Sequence, residues 1–84
     1  MYKFVLKEKA VKEIEKLPSE VREKILKKLK FFASCDNPLK FAEKIRDYKL
    51  GQFRFRIGNY RVICDVEENK IIILKIGHRK DIYK

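Results

Sequence analysis

The chain has 84 residues, is 45% hydrophobic and 40% charged, and carries a formal net charge of +10. That composition is enough for one small core spanning residues 1–84, too little for two, and too apolar for a disordered chain. The longest apolar run, Ile71 to Leu74, falls far short of the ~20 residues that span a bilayer. Lys7, Glu8 and Lys9 interrupt the N-terminus before a signal peptide can develop, which argues against secretion or a membrane partner. Cys35 and Cys64 make no disulfide framework and fit a reducing cytoplasm. With His78 the only histidine, no ordinary zinc site is expected, and no cofactor is implied.

Residues 2–6 have the aromatic and β-branched character of a short strand. From Glu8 the period changes, with Ala10, Val11, Ile14 and Leu17 at helical spacing. Pro18 interrupts, and Ser19 is expected to cap a second helix from about Glu20 to Ser34. That helix carries Val21, Ile25, Leu29 and Phe32 on one stripe, with Leu26 and Ala33 beside it. The short break predicts an antiparallel helix hairpin. Asp36-Asn37-Pro38 is a turn signal, and residues 39–47 have room for a short helical turn. Phe31, Phe32 and Phe41 are expected in the core.

From Gln52 the period is two. Phe53, Phe55 and Ile57 alternate with Arg54 and Arg56, and Gly58-Asn59 signals a two-residue hairpin loop. Tyr60 to Val66 returns, Glu67 to Lys70 turns, and Ile71 to Ile76 is apolar enough for a central strand. The predicted fold is α+β: an N-terminal strand, then an antiparallel helix hairpin packed on one face of a small antiparallel sheet.

A two-residue loop at Gly58-Asn59 pairs residues whose numbers sum to 117, so Arg56 falls opposite Arg61. Alternation then puts Arg54, Arg56 and Arg61 on one face, expected open or shallowly concave, and the phenylalanines on the other. Like charges placed directly opposite are destabilising by roughly 0.2–1 kcal/mol, so stability alone gives no reason for the pair. An anion site does, because the guanidinium fork binds two phosphate oxygens. The competing explanation is local neutralisation, with Asp65 the acid nearest Arg61 on that face and no acid beside Arg54 or Arg56 in sequence. A second hairpin about Glu68-Asn69 sets Arg61 opposite Ile76, which brings His78, Arg79 and Tyr83 to the same end of the sheet. Together these side chains suit gripping a phosphodiester and stacking on a base. Cys64 is expected to be a small core residue and Cys35 to end a helix. Neither has a base beside it that would make it a nucleophile.

Asn59-Tyr60-Arg61-Val62-Ile63 and the tail Gly77-His78-Arg79-Lys80-Asp81-Ile82-Tyr83, with Leu17-Pro18-Ser19 at the helix turn, resemble the RelE family of toxins over nearly the whole chain. The resemblance implies one half of a toxin–antitoxin pair. Its members enter the A site of the 70S-type ribosome, cut the mRNA there, and are silenced by a RelB-like antitoxin. Carried over, Arg56, Arg61, Arg79 and Tyr83 are the catalytic candidates, and Arg54 and His78 are RNA-binding. Arg61 matches an arginine on the scissile phosphate, and Arg79 one implicated in charge stabilisation and leaving-group protonation. Arg54 and Arg56 stand where lysine is frequent. Arginine holds its proton, so the base falls to Tyr83, His78, or positioned ribosomal RNA and solvent. The implied chemistry needs no metal. The same superfamily holds ParE-like toxins that poison DNA gyrase without chemistry, and a plain nucleic-acid-binding domain is a third reading.

Overall fold

The computed structural model describes residues 2–47 and 49–83. In chain order these form β1 (Lys3–Leu6), α1 (Glu8–Glu15), α2 (Ser19–Ser34), a 3-10 turn (Pro38–Phe41), β2 (Ala42–Lys44), β3 (Phe53–Ile57), β4 (Tyr60–Glu67) and β5 (Lys70–His78). The strands make a five-stranded sheet in the order β1-β5-β4-β3-β2. Both helices contribute to the core against one sheet face, so the α+β two-layer arrangement holds. The sheet is mixed rather than antiparallel, because β1 pairs in parallel with β5 while β2–β3, β3–β4 and β4–β5 are antiparallel. The 39–47 segment also departs from expectation. Its helical turn ends at Phe41, and Ala42–Lys44 becomes an edge strand on β3.

Helix α1 buries Ala10 and Ile14, four residues apart on one face. Its Glu13 carboxylate accepts the backbone N–H of Ile76 at 3.0 Å, tying the helix to β5. Helix α2 begins one residue earlier than the capping signal implied. Pro18 is the N-cap, and its carbonyl accepts from the Arg22 N–H at 2.9 Å. Ser19 is thus already helical, and no side-chain cap bond forms. Ile25, Leu29 and Phe32 face the core as the stripe predicted. Phe31 does not: it is 50% exposed, because neighbouring helical residues point about 100° apart. Phe41 lies outside too, at 40%, stacked on Phe32, which stacks in turn on Phe55 with 4.8 Å between centroids.

The β3–β4 register is the one the Gly58-Asn59 loop implies, with Arg56 opposite Arg61. Gly58 has φ +60°, the left-handed value that such a tight turn places at its first loop position. The second hairpin starts as expected, Glu67 opposite Lys70, but a bulge shifts the register between Ile63 and Cys64. Arg61 therefore lies opposite Gly77 instead of Ile76. The physical reason is burial. Without the extra residue, Val62 on the core face would meet Lys75, whereas the bulge restores Ile76 to the core and leaves Lys75 on the other side.

The arginine-bearing face is not left open along its length. Ile63 lies on it and is wholly buried, as is Ile82 from the tail at 1% exposure. Gly51 covers Ile63 so closely that an added Cβ would stand 2.7 Å from its Cγ2. Ile82 lies against Gly77, where a Cβ would come within 3.2 Å of its Cδ1. The bulge makes this possible by putting a glycine, not an isoleucine, opposite Arg61. None of the described helices is long and apolar enough to cross a membrane.

Candidate functional site

The exposed part of that face holds a row of side chains across β2, β3 and the tail. Arg54 donates from Nη1 to the Tyr83 hydroxyl at 2.7 Å, and its guanidinium lies 5.9 Å from the centre of the Tyr83 ring. On its other side Arg54 Nε stands 3.4 Å from Glu43 Oε1. The same carboxylate oxygen is 2.6 Å from Nε of Arg56. These are ion pairs rather than aligned hydrogen bonds, since Glu43 Oε1 and Arg54 Nε are buried atoms without a hydrogen-bond partner among the described residues. Arg56 is then directly opposite Arg61. The row therefore runs Tyr83, Arg54, Glu43, Arg56, Arg61.

Glu43 is the residue that sequence reasoning missed. It comes from β2, where a helical turn was expected, and the β2–β3 register puts it opposite Arg54. Its signal was weak, because three residues of Ala-Glu-Lys carry no period. No acid flanks Arg54 or Arg56 in sequence, but the sheet brings Glu43 to both. For Arg61 the competing explanation, neutralisation by Asp65, is not what the structure shows. Asp65 accepts the Gln52 backbone N–H at 2.9 Å, and no ion pair to Arg61 occurs among the described residues. Arg61 instead donates from Nη1 to the carbonyls of Gly58 at 3.0 Å and Tyr60 at 2.9 Å. The hairpin loop thus holds one end of its guanidinium, and no acid among the described residues pairs with it.

The tail is pinned by its backbone. The Arg79 N–H donates to the Asn59 carbonyl at 2.8 Å, which brings the Arg79 backbone to the β3–β4 loop. A turn follows, with the N–H groups of Asp81 and Ile82 both donating to the His78 carbonyl at 2.9 Å. Lys75 Nζ then donates to the Ile82 carbonyl at 2.8 Å, immediately before Tyr83. Buried Ile82 anchors the segment, and Tyr83 is delivered to Arg54. His78 goes the other way. It pairs with Tyr60 on the helix-facing side of the sheet, its ring edge-on to the tyrosine at 5.3 Å. Its Nδ1 accepts the Lys80 N–H at 3.1 Å. The sequence-predicted set therefore assembles as Arg54, Arg56, Arg61 and Tyr83, with the Arg79 backbone at the loop and His78 on the opposite face.

The electrostatics suit holding an anion and offer little for removing a proton. The hydrogen bond to Tyr83, helped by the negative charge of Glu43, lifts Arg54 above its already high ordinary pKa. Cys64 is no nucleophile either, since burial, with Asp65 adding to it, pushes its thiol up to about 12. Cys35 ends α2, its Sγ directed at the Phe31 carbonyl at 3.4 Å. Among the described residues, no three His, Cys, Asp or Glu side chains cluster as metal ligands.

Comparison with known proteins gives this arrangement a family. A family model described as the ParE toxin of a type II toxin–antitoxin system, parDE, matches residues 4–83. The toxin RelE3 of Methanocaldococcus jannaschii is 35% identical over 79 residues, which cover 87% of this chain and 85% of that protein. The toxin RelG of Mycobacterium tuberculosis is 31% identical over 80 residues, covering 89% and 87%. Among solved structures, the toxin–antitoxin complex RelBE2 from Mycobacterium tuberculosis superposes with a TM-score of 0.75 at 25% identity, over 93% of this chain and 98% of that one. The RelB–RelE antitoxin–toxin complex from Methanococcus jannaschii gives 0.74 at 26% identity, covering 94% of each chain. With a family match over nearly its whole length, relatives above 30% identity and the same two helices on a mixed sheet, this chain belongs to the RelE/ParE superfamily of type II toxins.

Proposed function

We propose that this toxin is an endoribonuclease that cuts mRNA in the ribosomal A site, stops translation, and is neutralised by a cognate antitoxin of RelB type. The observation that carries this reading is the Arg56–Arg61 pair, set face to face by the hairpin register with Arg61 lacking an acidic partner among the described residues. Such a pair is costly to the sheet and useful to a phosphate. The RelE names of the relatives support RNA as the target, and the antitoxin complexes among the structural neighbours support the partner.

The chemistry follows from what these groups can do. A ribose 2′-hydroxyl attacks the adjacent phosphorus, the P–O bond to the 5′-oxygen breaks, and a 2′,3′-cyclic phosphate forms. Arg56 and Arg61 neutralise the charge that grows on the non-bridging oxygens. Arg79, its backbone held at the loop, stabilises the departing 5′-oxygen. Arg54 and Tyr83 hold the neighbouring nucleotide, so that the reacting atoms stay in line. The 2′-hydroxyl proton leaves to solvent or to groups of the ribosome, and the departing 5′-oxygen takes up a proton from the same sources to become a 5′-hydroxyl, because arginine keeps its own protons at neutral pH.

A second reading has specific support. The family model carries the ParE description, and Glu43 already compensates Arg54 and Arg56, as it would if the row were structural. The deciding experiment maps cleavage of a defined message with and without translating ribosomes. Cuts at A-site codons that disappear in Arg61→Ala and Arg79→Ala establish the nuclease. Each variant should lose roughly 10²–10³-fold in rate, as when one oxyanion donor is removed. Growth arrest by the wild type with no cuts in either condition establishes a ParE-like toxin. Full cleavage by Arg61→Ala removes the assigned site.

A further inference from the structure

The proposed chemistry leaves one cation of the arginine-bearing face unused. The bulge between Ile63 and Cys64 puts Lys75 on that face, opposite Ile63, and Ile63 is in turn opposite Arg54. Arg54, Ile63 and Lys75 therefore form one line across β3, β4 and β5, with the roots of the two cations about 10 Å apart at ordinary strand spacing. The tail is held at both ends of this line. Lys75 is half-buried, and its Nζ donates to the Ile82 carbonyl at 2.8 Å. Arg54 Nη1 donates to the hydroxyl of the next residue, Tyr83, at 2.7 Å. Among the described residues Lys75 has no acid within ion-pair distance, so its ammonium is directed to this carbonyl.

We propose that Lys75 is a positioning residue of the site. By holding the Ile82 carbonyl it sets the direction in which Tyr83 leaves the turn, and so places the tyrosine on Arg54. The inference rests on the reading that Arg54 and Tyr83 hold a nucleotide of the RNA. Burial of Ile82 does not achieve this alone. Its side chain is 1% exposed and lies against Gly77, which fixes the depth of the tail. The N–H groups of Asp81 and Ile82 both end on the His78 carbonyl, which fixes the turn as far as the Ile82 nitrogen. Rotation about the next soft bond, between Cα and the carbonyl carbon of Ile82, is still to be set. The Ile82 oxygen and the Tyr83 nitrogen share one rigid peptide plane, so a tie on the oxygen stops that rotation. Tyr83 is 44% exposed, so packing does little to hold its ring. An ammonium suits the task, because a charged donor makes a stronger hydrogen bond to a carbonyl than a neutral one. Its own place is fixed by a strand paired on both sides, since β5 lies between β1 and β4.

The test compares Lys75→Met, which keeps a stem and removes the donor, with Lys75→Arg, which restores a charged donor. The ring signals of Tyr83 are read by NMR in protein with labelled tyrosine, and identified by their loss in Tyr83→Phe. In the wild type, nuclear Overhauser effects should join the Tyr83 ring to the Arg54 side chain. In Lys75→Met they should vanish, and the ring signals should move towards those of free tyrosine. The Ile25 and Ile71 methyl signals should stay in place, showing an intact core. If they move, Lys75→Gln, too short to reach the carbonyl, replaces Lys75→Met under the same criteria. Lys75→Arg should recover the Tyr83–Arg54 effects. Cleavage of a message on translating ribosomes should fall roughly 10–100-fold in Lys75→Met, the scale of a misplaced positioning group. In a Tyr83→Ala background the same substitution should cost nothing further, because its effect passes through the tyrosine. A Tyr83 ring unmoved in Lys75→Met overturns the proposal, and so do losses that multiply in the double variant. The NMR comparison needs no ribosome, so it separates the two readings. Cleavage by the wild type with Tyr83 unmoved in Lys75→Met removes the role of Lys75 alone. Release of Tyr83 with no cleavage by the wild type removes the nuclease alone.

Discussion

Glu43 competes with any phosphate for the guanidiniums of Arg54 and Arg56, and one of its oxygens reaches both. The two pairs lie at a partly exposed surface, where each is worth about 0.2–1 kcal/mol. Glu43→Gln should therefore bind a short non-cleavable RNA roughly twofold to fivefold more tightly, read by fluorescence anisotropy at fixed salt. Unchanged affinity would show that the carboxylate does not occupy the phosphate position. Loss of cleavage with tighter binding would instead give Glu43 a part in moving the proton. Arg61 differs in kind, because its Nη1 is spent on the loop carbonyls of Gly58 and Tyr60. Lysine lacks the fork to hold both and still face a phosphate, so Arg61→Lys should rescue little of the activity lost in Arg61→Ala.

The hairpin loops and the tail turn decide where these side chains stand. Both hairpins are tight, but they differ in chemistry. Gly58 suits its positive φ, whereas Glu68 holds φ +57° with a side chain attached. A left-handed L-residue costs roughly 1–2 kcal/mol. Glu68→Gly should recover part of that, offset by the greater freedom of glycine in the unfolded chain, for a net gain of about 0.5–1 kcal/mol. In a domain of this size the melting temperature should rise by about 2–8 °C, measurable by calorimetry. At Gly51 the argument reverses. Its φ is +152° and a Cβ would meet Ile63 Cγ2 at 2.7 Å, so Gly51→Ala should destabilise by about 1–3 kcal/mol in the same measurement.

One core serves the two helices and the sheet, and Cys64 sits in it fully buried. Its thiol titrates at about 12 in the folded protein, above its value in the unfolded chain, because burial disfavours the thiolate. The folded state thus binds more protons than the unfolded state above the ordinary thiol range. This contribution to stability is fully present below about pH 9 and is lost as pH rises towards 12. Urea midpoints measured from pH 8 to 11 should fall more steeply for the wild type than for Cys64→Ala, which starts lower but lacks the titrating group. Parallel slopes would mean that the thiol does not contribute. The surplus of basic groups acts in a different way, through long-range attraction to a polyanion, and weakens with salt.

Local patterns carried much of this molecule. The change from helical period to alternation placed α1, α2 and β3–β5, and Gly58-Asn59 determined the β3–β4 register and with it the Arg56–Arg61 pair. Those features depend on neighbours in sequence, so they are legible there. The tail motif and the Tyr-Arg strand carried the family in the same way. What depended on distant parts of the chain was not legible. Whether β1 ran parallel or antiparallel was decided by the strand it joined, and Ala-Glu-Lys became β2 only because β3 offered an edge. The bulge in β5 answered to the core, which required Ile76 inward and left Gly77 for Ile82 to cover. From the β2 pairing came the carboxylate between two arginines, and from the bulge the turning of His78 away from them and the covering of Gly77 by Ile82, next to Tyr83. The sheet edge and the core chose among options that local sequence left open, and that choice assembled the site.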